Sequence, residues 1–318
     1  MEKEVTVNAK TIFWEREAIE ELLLANVRER RAVRRWRIFK SVIWMLLFAA
    51  LIWVLSDDAR SSRSPNARHT ATVMIRGEIS DKSDNSAENV LPAMRDALED
   101  SGSQALVLLI NSPGGSPVQA GLINDEIRRL RLKHGKPIYA VVEDTCASAA
   151  YYIASAADEI YVDKASIVGS IGVQMDGFGF VGTLDKLGVQ RRLLTAGENK
   201  NFLDPFSPQS EEQRQHAQSM LEQIHRQFIH VVKQGRGERL KETPDTFSGL
   251  VWTGEQSIQL GLADAYGSLD SVARDVVKAE KIVDYTNKGN LAERFAKRFG
   301  VALGHSAVGA LRSLPVMR

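Results

Sequence analysis

Apolar positions follow two different patterns along this chain. From Ser41 to Leu55 no residue is charged. With Ile38 and Phe39 the run predicts a helix over 38–55, about the length that crosses a bilayer if Lys40 snorkels to the interface. Trp36, Trp44 and Trp53 are placed as interfacial anchors. Ahead of this run Arg28, Arg30, Arg31, Arg34, Arg35, Arg37 and Lys40 oppose a single Glu29. That excess of positive charge assigns residues 1–37 to the cytoplasm and everything after Ser56 to the other side. A cleaved leader fits poorly, because the preceding stretch is long and Leu55-Ser-Asp-Asp58 has no small-x-small site.

Beyond a serine- and arginine-rich linker at 56–70, short apolar runs alternate with helical periods. Ala71–Ile79, Gln104–Ile110, Pro137–Glu143 and Glu159–Val162 predict strands, and the second is apolar throughout, as in a strand covered on both faces. Three helices are expected between them. They are Ser86–Asp100 with Pro92 near its first turn, the period Val118, Leu122, Ile123, Ile127, Leu130 closing at Gly135, and Ala149–Ala156. Val189–Leu194 reads as a further strand. Ser210-Glu-Glu-Gln213 is a capping box opening a long helix with Leu221, Ile224, Phe228 and Val232 as its buried stripe. A short helix lies within Phe247–Gly267, and Leu269–Ile282 reads as a last helix. The expected fold class over 71–284 is α/β, repeated β-α-β units with a mainly parallel sheet, and ligands usually bind at the carboxyl ends of such strands. The tail at 285–318 is basic and weakly amphipathic.

Composition narrows the function. The 318 residues are 44% hydrophobic and 25% charged with a net charge of +1, which is globular in type and gives no case for nucleic acid. A single cysteine, Cys146, excludes an internal disulfide. The six histidines form no HExxH or Cys/His cluster, so neither a metal nor another cofactor is expected; His225 and His230 read as lying on a solvated helix face.

The candidate chemistry centres on Asp144–Asp158, where small residues crowd Ser148 between a strand and a helix. A serine there either caps the helix or acts as a nucleophile beside free backbone N–H groups. Asn111-Ser-Pro-Gly-Gly115 lies between a strand and a helix as well. Its two glycines suit an oxyanion hole, and an ordinary β-α turn is the plain alternative; it lacks the lysine of a phosphate-binding P-loop. Lys200 follows in a loop, but chemistry alone does not select it over Lys164 or Lys186.

Five ordered motifs carry a resemblance: Asn111-Ser-Pro-Gly-Gly115, Ala147-Ser-Ala-Ala-Tyr-Tyr152, Gly169-Ser-Ile-Gly-Val173, Gly197-Glu-Asn-Lys200 and Trp252-Thr-Gly-Glu-Gln-Ser-Ile-Gln-Leu-Gly-Leu262. Over about 73–282 the chain resembles the signal peptide peptidase A family of membrane-bound serine proteases. The resemblance implies a Clp protease/crotonase-like fold, a Ser–Lys dyad, peptide substrates such as cleaved signal peptides, and a place in the bacterial inner membrane. It also implies that Ser148 is the nucleophile, Lys200 the general base and Ser170 the hydroxyl that orients the lysine. Gly114, Gly115 and Ala149 then form the oxyanion hole. Where the family usually has Ser-Gly-Gly, this chain has Ser148-Ala-Ala150, which narrows the space beside the nucleophile. Single-domain members share the site between protomers of a ring, and Phe178, Phe180, Phe202 and Phe206 are candidates for such an interface, with folding back on their own domain as the alternative. A base must be neutral, which demands a lysine buried away from carboxylates. The competing classes are a membrane-anchored scaffold without chemistry and a crotonase-type acyl-CoA enzyme.

Overall fold

The computed structural model describes residues 34–49 and 67–287. They belong to two compact units that divide at Ser64/Pro65. In the first, residues 34–49 form helix α1, with Trp36, Trp44 and Phe48 exposed. Among the described residues no helix is long and apolar enough to cross a membrane. Part of the predicted 38–55 span, most of the 56–70 linker, residues 1–33 and the tail from 288 lie outside the described residues.

The second unit is built on an eight-stranded mixed, mainly parallel sheet. Its strands are β1 (His69–Arg76), β2 (Ser103–Ser112), β3 (Ile138–Ala147), β4 (Glu159–Val162), β5 (Ile167–Gly169), β6 (Val251–Thr253), β7 (Ala265–Tyr266) and β8 (Ile282–Asp284). The order is β6-β5-β3-β2-β1-β8, with β4 and β7 branching from β3. Among the described strands only β5–β6 is antiparallel. The helices are α2 (Ala87–Glu99), α3 (Pro117–His134), α4 (Ala149–Ala154), α5 (Val181–Lys186), α6 (Glu211–Arg236), α7 (Gly254–Gln259) and α8 (Leu269–Ser271).

The apolar run of β2 is covered on both faces, as its composition requires. Leu106, Leu108 and Ile110 enter the main core with α2, α3 and α4. Val107 and Leu109 enter a smaller one with Val141, Tyr161 and Val272. The fork in β3 positions the site. Ile110 pairs with Val142 but Ser112 pairs with Cys146, so β3 carries two extra residues at this point. Such a bulge bends the strand. Its first half then pairs with β4 at Tyr139–Val141, and its end pairs with β5 at Thr145–Ala147.

Several expectations are corrected. Residues 189–195 have no regular structure: all are exposed, so their apolar side chains meet no packed face that would hold a strand. The last predicted helix is short: α8 passes into a π-type turn at Val272–Val276, and Ile282 begins β8, parallel to β1. Pro92 lies inside α2, past the first turn, and Val118 and Leu122 of α3 face outward. The capping box at Ser210 is formed as expected, with Ser210 Oγ accepting from the Gln213 N–H.

Arg236, at the end of α6, is fully buried and pairs with both oxygens of Asp264 at 2.9 and 2.8 Å. Its Nε donates to the Gly261 carbonyl at 2.8 Å. Burial opposes the Asp264 charge, yet Arg236 and Arg239 hold its carboxyl below the usual range. Glu126, clasped by Arg129 and, against burial, also by Arg95, falls from the usual 4.5 to about 2. Both carboxylates therefore add stability that is present above their unfolded values near 4 and lost as pH falls through their lower folded values. Arg236→Ala should destabilise the domain, but by less than the about 3–5 kcal/mol of a broken fully buried pair, since the half-buried Asp264 keeps Arg239 at 3.2 Å and the Ile160 N–H at 2.7 Å. In wild type, urea-unfolding stability should fall steadily below about pH 5; a flat acid limb would contradict the assignment, and Glu126→Gln should shallow it.

Candidate active site

β3 ends at Ala147, opposite Gly169 of β5. The Ser148 N–H still donates to the Gly169 carbonyl at 2.8 Å, while the Ser148 carbonyl already accepts from the Tyr152 N–H of α4 at 3.0 Å. One residue must make the whole change from strand to helix. Ser148 does so at φ 52° and ψ −123°, a conformation costing on the order of 1–3 kcal/mol at a residue other than glycine. A strained serine at a strand-to-helix turn is a recurrent way to expose a nucleophile. Ser148 makes no side-chain bond to α4, so helix capping does not explain it. Among the described residues its hydroxyl has no hydrogen-bond partner.

Glycine supplies the room beside it. Gly114 has φ 109°, and a Cβ there would lie 2.7 Å from Ser148 Cβ and 3.0 Å from Ala149 N. Its N–H donates to Ser112 Oγ at 3.2 Å. Ile79 bonds to the residues flanking Gly115, donating to the Gly114 carbonyl at 2.9 Å and accepting from the Ser116 N–H at 2.8 Å. In that parallel bridge the N–H of Gly115 itself points away from Ile79 and has no partner among the described residues. Ala149 opens α4, so its N–H has no intrahelical acceptor. Gly115 and Ala149 thus carry the free donors, and Gly114 carries the space.

Ser170 is the second strained serine, at φ 50°, with its N–H donating to the Leu250 carbonyl at 2.8 Å. Ser148, Ala149, Gly115 and Ser170 all line one cleft of about 760 Å³, together with Tyr152, Leu221, Ile224 and Phe228. Phe228 leans on Tyr152 with ring centres 5.1 Å apart. Leu221 and Ile224 are only half-buried. Helical period marked them as core, and period cannot distinguish a core stripe from a cleft wall. His225, expected on a solvated face, is half-buried and donates through Nε2 to the Ile171 carbonyl at 3.1 Å, tying α6 to the Ser170 turn; His230 is exposed.

Lys200 is exposed, in the turn region 197–203, and does not line the cleft. Neither does Lys164, whose Nζ lies 5.9 Å from the Tyr266 ring centre, nor Lys186. Cys146 sits close in sequence but is fully buried, and burial pushes its thiol up, away from the reactive thiolate. Among the described residues no group of His, Cys, Asp and Glu is placed to hold a metal ion.

The family model described as Peptidase family S49 matches residues 130–283. A candidate protease of Methanocaldococcus jannaschii is 30% identical over 217 residues, covering 66% of this chain and 69% of that protein. The chain belongs to peptidase family S49. A candidate signal peptide peptidase SppA of Enterococcus faecium shares 30% identity over 199 residues, 63% of this chain and 58% of the relative, so the motif resemblance and the S49 match agree. A protein of Brucella abortus named Na(+)/H(+) antiporter NhaA is 47% identical over 178 residues, 56% of this chain. The chain spans 24% of that protein's length, and the antiporter name describes the whole of it.

Within this S49 chain, Gly114→Ala tests the crowding at Ser148. The added methyl must push Ser148 or Ala149 out of place, so turnover of a peptide substrate should fall by about 10²–10³. Thermal unfolding should shift only by the strain of one residue at positive φ, about 1–3 kcal/mol. Unchanged turnover would mean that the geometry beside Ser148 is not used.

Proposed function

We propose that the chain is a membrane-anchored serine endopeptidase that hydrolyses peptides at the membrane, remnant signal peptides among them. The observation that carries this reading is Ser148 held at positive φ in the same cleft as the free N–H groups of Gly115 and Ala149. Ser148 Oγ attacks the scissile carbonyl carbon while its proton passes to the Nζ of a neutral Lys200. The carbonyl oxygen becomes an oxyanion held by the Gly115 and Ala149 N–H groups. As the tetrahedral species collapses, Lys200 returns the proton to the leaving amine. Water then attacks the acyl-serine with Lys200 again as base, and Ser148 regains its proton.

Lys200 is proposed to come from a neighbouring copy of the chain. Two features support that. Its exposure in a single chain gives none of the desolvation a neutral lysine needs. The segment around it also leaves large apolar side chains uncovered, with Phe178 at 79% and Leu194 at 96% exposure, and such surfaces mark contacts. Phe180 stacks on Phe206 at 5.3 Å, and Phe202 is half-buried against His216. The apolar lining from Tyr152, Leu221, Ile224 and Phe228 favours substrates with apolar side chains near the cleaved bond. The anchor is the predicted 38–55 span, with the peptidase domain outside the cytoplasm.

A fluorophosphonate probe, which reacts with activated serines, tests the nucleophile. Wild type should be labelled on Ser148 and Ser148→Ala should not. Equal labelling of both would place the nucleophile at another serine, and no labelling of wild type would favour the non-catalytic or acyl-CoA readings.

A further inference from the structure

The end of the sheet opposite Ser148 carries a second cleft, of about 580 Å³ and basic. Arg128, Arg131, Leu132, Lys136 and Asp158 are among its lining residues. Arg131 is neutralised by Asp158. Among the described residues the other two cations have no ion pair. Arg128 donates to Asn124 Oδ1 at 2.8 Å, and Lys136 donates to the carbonyls of Leu98 and Asp100 at 2.8 and 2.7 Å. Burial pulls both below their ordinary values, against the opposing fields of Asp125 and Asp100. Half-buried cations without an anionic partner are under-compensated, and an incoming anion relieves that. Beside them Leu132 is 89% exposed and Lys133 is exposed too.

The location says which anion. Pro137 and Asp158 immediately precede β3 and β4, so the cleft lies at the amino end of the parallel sheet. The domain's own first residues lie there as well: the His69 N–H donates to the Gly102 carbonyl at 3.0 Å, just before β2. From these observations we infer that the α3 end is a lipid-docking surface. An anionic phospholipid headgroup occupies the cleft against Arg128 and Lys136, and Leu132 enters the interface beside it. This rests on the membrane-anchored reading.

The test uses the full chain in vesicles of phosphatidylcholine, with or without phosphatidylglycerol. Leu132→Cys is labelled with an environment-sensitive fluorophore; Cys146 is fully buried and stays unlabelled in the folded protein. Expected is a blue shift and a several-fold rise in emission only with phosphatidylglycerol, reversed by about 1 M salt, where screening acts within about 3 Å. Arg128→Gln with Lys136→Gln should abolish the response. A Leu194→Cys probe should not distinguish the two lipids. Equal Leu132 emission in both vesicles overturns the docking surface, as does a response that follows protein concentration without lipid, which would mean a second copy covers Leu132. Alkaline extraction reads the anchor separately. Release of the chain while the Leu132 probe still responds to phosphatidylglycerol would end the anchored reading and leave the docking surface standing.

Discussion

Ser148→Ala and Lys200→Ala are each expected to lower peptide hydrolysis by about four orders of magnitude or more, and the double variant no further. A nucleophile and its base act as a unit, so removing either removes the step. Neither change should unfold the domain. Ser148→Ala keeps the Cβ in its cramped position and deletes only a hydroxyl that has no hydrogen-bond partner among the described residues, while Lys200 is exposed. Melting temperatures should therefore match wild type closely, and fluorophosphonate labelling should vanish in the first variant. Full activity in Lys200→Ala would remove the dyad, and the half-buried His225 near the Ser170 turn would be the next base to test. A double variant much slower than either single would show that the two residues do not act together.

How much of this was legible in the sequence depends on which physical signal each element carries. The apolar run at 104–110 and the capping box at Ser210 are strong local signals, and β2 and α6 lie where they point. β6, β7 and β8 span three, two and three residues. Such strands exist because a neighbouring edge is already present, and a local reading has no access to that. Arg236 was missed for the same reason: a charged residue in a helix looks solvated until Asp264, far along the chain, comes to meet it. At the site, small residues pointed to Ser148, and the structure supplies the cause in the single-residue change from sheet to helix. The pair of glycines pointed to an oxyanion turn, but only the bridge at Ile79 shows that Gly115, with its free N–H, differs from Gly114. Lys200 was chosen by motif resemblance alone. One copy of the chain leaves it far from any burial that would make it a base.

That gap yields a result no single-chain site can give. Purified Ser148→Ala chains and purified Lys200→Ala chains should each be inactive, yet after unfolding and refolding together they should regain part of wild-type hydrolysis. In a ring whose sites lie at subunit junctions, some junctions of a mixed assembly pair an intact Ser148 with an intact Lys200. With random equal mixing about a quarter of junctions do so, which sets the scale of recovery. The recovered activity should carry the fluorophosphonate label only on chains that keep Ser148. Phe178→Asp offers the complementary loss. A charge at a residue 79% exposed costs the single domain little, but at a covered apolar contact it should dissociate the assembly and abolish hydrolysis while leaving the fold unchanged by circular dichroism. Mixed assemblies shown by mass to contain both chains, and still inactive, would return Ser148 and Lys200 to one protomer. The loop at 189–206 would then have to close over the cleft of its own chain to bury the lysine.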